Sequence, residues 1–305
     1  MRMRHMKIVL IAASLFMSFK EGESKCRPLV IVTTTNIIAD VVKNIVKDDA
    51  KVISLMGVGV DPHTYQMTQK DLEHLKCGDI IFYNGLKLEG KMDEVFKVLS
   101  KTKKVYACSD ALRDDQLITD QDGGIAVEDP HIWFDVQLWQ QVATFIGDKL
   151  QQASPRCADI YKKNTESYVN MLKDLHVNLV QKISTIPQQQ RVLITTHDAF
   201  SYFGRAFGIE IVPLQGISTA AECGLKSIRH LVDTIVQSNV KAVFLEAALS
   251  NKAMYAVLEG CKARGYSVQL GGTLHTDTLG APDSDAGTYC GMMQANVNTI
   301  VEALV

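Results

Sequence analysis

"RCADIYKKNTESYVNMLKDLHVNLVQKI", residues 156–183, contains neither proline nor glycine, while Pro155 and Pro187 bracket it. Tyr161, Tyr168, Leu172, Leu175, Leu179 and Ile183 recur at helical intervals and mark one apolar stripe. A helix of about 30 residues spans roughly 45 Å. The stripe is too irregular for a coiled-coil seam, so residues 156–186 read as a rigid connector helix with a lobe packed at each end. A helix bends less easily than a pair of extended strands, which limits any hinge between the lobes.

The flanking segments repeat one another in kind. Before the connector, "PLVIVTTT" (28–35), "KVISLMG" (51–57), "DIIFYNG" (79–85) and "KKVYACS" (103–109) are short apolar runs suited to buried strands. "NIIADVVKNIVKD" places Ile37, Ile38, Val41, Val42 and Ile45 on one helical face, with Thr35 or Asn36 as cap. "TQKDLEHLKCG" carries Thr68 and Asp71 in capping-box spacing. After residue 190 come "RVLITTH", "IEIVPLQG", "KAVFLEA" and "YSVQLGG", again strand-like. Two helices accompany them: residues 219–238 with Thr219 and Glu222 as capping box, and residues 250–265 capped by Ser250 and ended by Gly265. Strands alternating with helices imply parallel sheets covered on both faces. The expected architecture is α/β, with two lobes, each a four-stranded parallel sheet flanked by helices, joined by one long rigid helix. The divisions are residues 29–155, 156–186 and 187–305.

Residues 1–28 are read as a signal peptide and mature N-terminus. Arg2, Arg4 and Lys7 precede the apolar run Ile8–Phe19, which is too short for a membrane span and resembles an export signal. Cys26 follows polar "ESK", so a lipid anchor is not expected; a periplasmic location is. The seven cysteines form no CxxC cluster, which argues against a zinc knuckle or iron–sulfur centre. A formal net charge of -2 with 22% charged residues carries no nucleic-acid footprint.

Three of the eight histidines stand apart. His63, His131 and His197 each lie beside an aspartate in a candidate loop, in "VDPH", "EDPH" and "THDAF". His74, His176 and His230 fall within helical patterns and read as surface or packing residues. His197 ends a strand run, and ligands of open parallel sheets gather beyond the carboxyl ends of strands. Lobes facing each other would bring His63 and His131 toward His197. Three neutral imidazoles suit Zn²⁺, Fe²⁺ or Mn²⁺, and a carboxylate would complete the set. "LHTDTLGAPDSDAGTY" offers Asp277, with His275, Asp283 and Asp285 as local competitors. Asp61, Asp135 and Asp198 are candidates to hold the far nitrogen of a ligating imidazole, Trp133, Phe134 and Phe200 to wall the site or pack the lobe interface. A secreted mononuclear metalloenzyme is the rival reading, but four protein ligands leave no open position for water, and neither HExxH nor GxSxG occurs.

"MGVGVDPHTY", "DIIFYNGLKLE", "DPHIWFD", "VLITTHDAFSYFGRAFG", "LQGISTAAE", "VFLEAALSNK" and "TDTLG" together resemble the solute-binding proteins of ATP-binding-cassette importers for zinc, manganese and iron, in particular the TroA-like branch. The resemblance implies a monomeric extracytoplasmic receptor without turnover, delivering its ion to a membrane permease driven by a separate ATPase. It implies metal ligands at His63, His131, His197 and Asp277, and a carboxylate near the pocket at Glu246. Residues 113–129, "RDDQLITDQDGGIAVED", contain no histidine, whereas zinc-specialised relatives carry a histidine-rich loop there. The manganese-leaning branch has glutamate at the third ligand position, where this chain has His197. Iron or manganese is therefore the expected cargo ahead of zinc, with promiscuous binding.

Overall fold

The computed structural model describes residues 28–122, 125–221 and 223–305. The expected export segment with Cys26, and Glu222 of the expected capping box, lie outside them. In chain order the elements are β1 Leu29–Thr33, α1 Asn36–Val46, β2 Ala50–Ser54, α2 Gln69–Cys77, β3 Ile80–Tyr83, α3 Asp93–Leu99, β4 Lys104–Ala107, β5 Thr119–Asp122, β6 Ile125–Glu128, α4 Val136–Ala153 and α5 Ala158–Ile183. The second half continues with β7 Val192–His197, α6 Ser201–Phe207, β8 Glu210–Gln215, α7 Leu225–Gln237, β9 Ala242–Glu246, α8 Lys252–Ala263, β10 Gln269–Leu274 and α9 Tyr289–Leu304.

Two four-stranded sheets form, in the orders β2-β1-β3-β4 and β10-β9-β7-β8. Every pairing within them is parallel. The apolar runs of the sequence thus become strands covered on both faces, because each must bury side chains above and below. Ile31, Val32, Ile80, Ile81, Phe82, Ala242, Val243 and Phe244 are almost wholly withdrawn from water.

The connector helix, α5, covers 26 residues, or about 39 Å. Its buried residues are Tyr161, Thr165, Tyr168, Leu172, Leu175, Leu179 and Ile183, the stripe read from the sequence with one threonine added. That stripe joins a single core cluster drawing on α1, α4, α6 and α9, so one continuous apolar body runs beneath both sheets. Asp40 on α1 ties the joint: it accepts hydrogen bonds from the Tyr168 hydroxyl on α5 (3.1 Å) and from the Tyr289 amide at the start of α9 (3.3 Å).

Local capping follows the sequence in some places and departs from it in others. Thr35 caps α1, accepting from Ile38 N–H, and α2 begins with the expected Thr68–Asp71 box. The expected helix from residue 219 starts later, at Leu225 behind Gly224, and residues 219–221 are turn and bend. Asn251, not Ser250, precedes α8, and no side chain caps that helix. Helices α3, α4, α6 and α9 are additions to the expected set, as is the antiparallel β5–β6 pair inside residues 113–129. No helix among the described residues is long and apolar enough to cross a membrane. The six described cysteines are all free.

Candidate metal centre

Each sheet delivers side chains from the carboxyl ends of its strands toward the other lobe. His197 is the last residue of β7, Glu246 the last of β9, and Asp277 lies three residues past the end of β10. His63 sits in the loop after β2, and His131 between β6 and a 3-10 turn at Ile132–Phe134.

The two Asp-Pro-His stretches share a local cause. Asp61 accepts a hydrogen bond from the His63 backbone N–H at 2.9 Å, and Asp129 does the same for His131 at 2.9 Å. This aspartate-to-i+2 turn sets the direction in which each imidazole leaves the chain. Asp129 goes further, lying 2.7 Å from His131 Nδ1 and so leaving Nε2 to face the cleft. Glu246 plays the same part for His197: Oε2 lies 2.5 Å from Nδ1, while Oε1 accepts from the Thr196 and His197 amides at 2.8 and 2.9 Å.

The result is a convergence of His63, His131, His197 and Asp277, with one ligand-capable atom from each and all four within 4.8 Å of one another. His63 Nε2 and His131 Nε2 are 3.2 Å apart. Asp277 Oδ1 is 3.5 Å from His131 Nε2, and Oδ2 is 3.5 Å from His197 Nε2 and 3.8 Å from His63 Nε2. Four donors about 2.1 Å from a central ion have tetrahedral edges of about 3.4 Å, so the spacing fits a first-row divalent ion. His197 Nε2 and both Asp277 carboxylate oxygens are buried without a hydrogen-bond partner. Buried polar atoms are rarely left so, and a cation between them satisfies all three at once.

Electrostatics point the same way. Burial, then the neighbouring imidazole charges, hold His63 and His131 well below the usual imidazole range, so both are neutral donors. Burial also pulls His197 down, but Glu246 and Asp277 outweigh it and raise it to about 9. Burial lifts Asp277 to about 7, against the pull of His197. Without an ion, the site keeps a proton on His197 that a metal must displace.

The surrounding assignments divide. Glu246 lies where the resemblance implied, and its partner is the His197 ring. The expected imidazole holders are corrected. Asp135 instead caps α4 through the Gln137 and Leu138 amides, and Asp198 accepts from the Ser201 hydroxyl. Asp61 reaches the His63 backbone and not its ring. Asp129, the true partner of His131, was available from the Asp-Pro-His pattern itself. Trp133 does wall the site: its ring lies 5.3 Å from His131, and its indole N–H donates to Thr276 carbonyl at 3.0 Å, bracing the loop that bears Asp277. Phe134 and Phe200 pack on each other within the core, 4.4 Å apart. His275 is outside the cluster, its amide donating to Asn296. Asn36, read from the sequence as an alternative cap of α1, instead pairs across the lobes with Thr278 at 3.0 Å, and its Oδ1 also accepts from Leu279 N–H.

Two parallel α/β lobes joined by one helix, with a four-donor set closed between them, have the architecture of a metal-binding receptor. The chain belongs to the family described as ZnuA, zinc-uptake complex component A, periplasmic, whose model matches residues 31–303. It is 39% identical over 303 residues to the manganese-binding lipoprotein MntA of Bacillus subtilis, covering 97% of this chain and 98% of that one. It is 40% identical over 285 residues to the zinc-binding protein TroA of Treponema pallidum, covering 93% of this chain and 91% of TroA. The solved TroA structure superposes with a TM-score of 0.89 over 92% of this chain and 100% of TroA. Fe(III)-bound YtgA of Chlamydia trachomatis is similar at a TM-score of 0.82 and 27% identity, over 90% and 98% of the two chains.

The family is one of solute-binding receptors, not enzymes, and its members hand metal ions to a membrane permease served by an ATPase. The chain is an exported receptor of that kind. One expectation is overturned: the similar MntA is named a lipoprotein, so the polar "ESK" before Cys26 does not make a lipid anchor unlikely.

Proposed function

We propose that His63, His131, His197 and Asp277 coordinate one divalent transition-metal ion as transported cargo. The ion sits between an N-terminal lobe of residues 29–155 and a C-terminal lobe of residues 187–305, with residues 156–186 as connector. The observation that carries this reading is the set of partnerless buried atoms on His197 and Asp277, facing two neutral imidazoles at coordination spacing. Both Asp277 oxygens face the rings, so the carboxylate can bind through one oxygen or two. That flexibility suits manganese and iron, which accept more than four donors, as well as zinc. Three imidazoles favour ions late in the Irving–Williams order, so zinc binds more tightly than iron or manganese in vitro, while availability selects iron or manganese in the cell.

The reading puts the chain in the periplasm. MntA's name makes a lipid anchor part of it, and Cys26, between the apolar N-terminal run and Leu29, is the cysteine placed to carry it; the intact mass of natively isolated protein tests this. Equilibrium dialysis with elemental analysis tests the site. The expected result is one equivalent of metal in the wild type and severe loss in His131→Ala and Asp277→Ala. Full loading of both variants would reject the coordination set.

A further inference from the structure

Of the four clustered side chains, His63 is held least. His131, His197 and Asp277 are almost wholly buried, and Asp129 and Glu246 grip the two imidazoles from behind. The His63 side chain retains slight exposure, and its loop is half-open to solvent. Thr278 holds the start of this loop from the other lobe, accepting from Gly59 N–H at 3.2 Å and donating to the Gly57 carbonyl at 3.3 Å, but the turn at His63 itself is fixed by the carboxylate of Asp61, used from both sides. Oδ1 accepts from the His63 backbone N–H; Oδ2 accepts from the Thr64 hydroxyl at 2.9 Å and, across the cleft, from the Thr219 hydroxyl at 2.7 Å.

Thr219 belongs to the loop between β8 and α7, where the sequence led us to expect a helix start. Free of that role, its side chain reaches the opposite lobe. The loop runs between two cavities. One, of about 480 Å³, is lined by His63, Leu86, Lys87, Ile217 and Ser218. The other, of about 490 Å³, is lined by Asp61, Thr64, Gln215, Thr219, Leu249 and Ser250. Open volume on both sides leaves room for the loop to shift, and Thr219–Asp61 ties it to the His63 turn.

We propose that Thr219 is a positioning residue that sets how long the ion stays: its hydroxyl latches the C-terminal lobe to Asp61, and breaking that bond frees the His63 loop to swing away. This rests on the coordination proposed above. Metal leaves when a first donor leaves, and His63 is the imidazole whose departure disturbs no ring-to-carboxylate bond. The latch acts mainly on release, because an ion entering an already loosened site meets the same four donors.

Release is measured by chasing Co²⁺-loaded full-chain protein with excess chelator in a stopped-flow instrument, following the ligand-field absorbance. Thr219→Val keeps the shape and removes the donor; Thr219→Ser keeps the donor. Valine is expected to speed release about ten-fold, the loss of one hydrogen bond to a carboxylate, with serine close to wild type. Association rate, one-to-one loading and thermal unfolding of the metal-free protein should hold, which separates a latch from a general structural role. Wild-type release in the valine variant, with full loading, would overturn the latch alone. A wild type that takes no Co²⁺ would overturn the coordination set and the latch with it.

Discussion

Glu246→Gln separates two effects that the Glu246–His197 contact combines. The carboxylate orients the ring and makes Nε2 a better donor; loss of such a partner weakens metal binding by about 10- to 100-fold, or about 1.4–2.7 kcal/mol. Glu246 also does more than Asp277 to raise His197 to about 9 against the downward pull of burial. At pH 7 the ion must therefore displace a proton held two units too tightly, a cost of about 2.7 kcal/mol. Glutamine removes that charge, so His197 falls back and deprotonates at lower pH. It can present its oxygen either to the Thr196 and His197 amides or to Nδ1, not to both sides as the carboxylate does. The two effects have opposite sign near neutrality and nearly cancel there. Wild-type affinity should climb about ten-fold per pH unit between 7.5 and 9, where Asp277 is already ionised, while the variant's curve is flat. At pH 9 the variant should be 10- to 100-fold weaker. The assay is chelator-buffered Zn²⁺ competition across that range, corrected for the chelator's own protonation. Parallel curves, with one constant deficit at every pH, would refute the reasoning.

Two further outcomes concern the scaffold. Burial raises Glu89 to about 7, despite hydrogen bonds from the Thr34 hydroxyl and the Asn84 and Gly85 amides. Since its folded value lies above its ordinary 4.5, its contribution is whole below pH 4.5 and is lost as pH rises to 7; urea unfolding of the metal-free protein should show Glu89→Gln sparing about 3 kcal/mol of that loss, and identical pH slopes would count against it. At Gly147 on α4, an added Cβ would collide with Thr165 on the connector, 2.7 Å from its Cγ2. Gly147→Ala should cost about 1–3 kcal/mol by overpacking, although alanine is the better helix former, and adding Thr165→Ala should recover most of it; a neutral single variant would show that α4 and α5 are less tightly pressed together.

The scaffold was largely legible because each of its signals is local. Four apolar runs on each side of a proline-bracketed helix predict two parallel sheets and a connector, and the buried stripe on α5 is the one read from Tyr161 to Ile183. The caps at Thr35 and Thr68 follow from side chains competing for the first free amides. Thr219 shows where this fails: the same threonine chemistry can bond across a cleft, and only the tertiary fold decides between the two. The β5–β6 pair at 119–128 was hidden because its strands are only four residues each, the first wholly polar, and they pair only with each other. Asp135 and Asp129 illustrate the same limit at the site. Both stand near His131 in sequence, but the turn aims Asp129 at the ring, whereas Asp135 begins a helix and spends its carboxylate on free amides.

The central claim is that one ion lies among four named donors from two lobes. Anomalous difference density at the metal edge, from crystals of protein loaded with Zn²⁺ or Mn²⁺, tests it most directly. A single strong peak about 2.0–2.3 Å from His63 Nε2, His131 Nε2, His197 Nε2 and an Asp277 oxygen is the predicted result. A principal peak elsewhere, or one that leaves Asp277 or any of the three imidazoles out of contact, would contradict it.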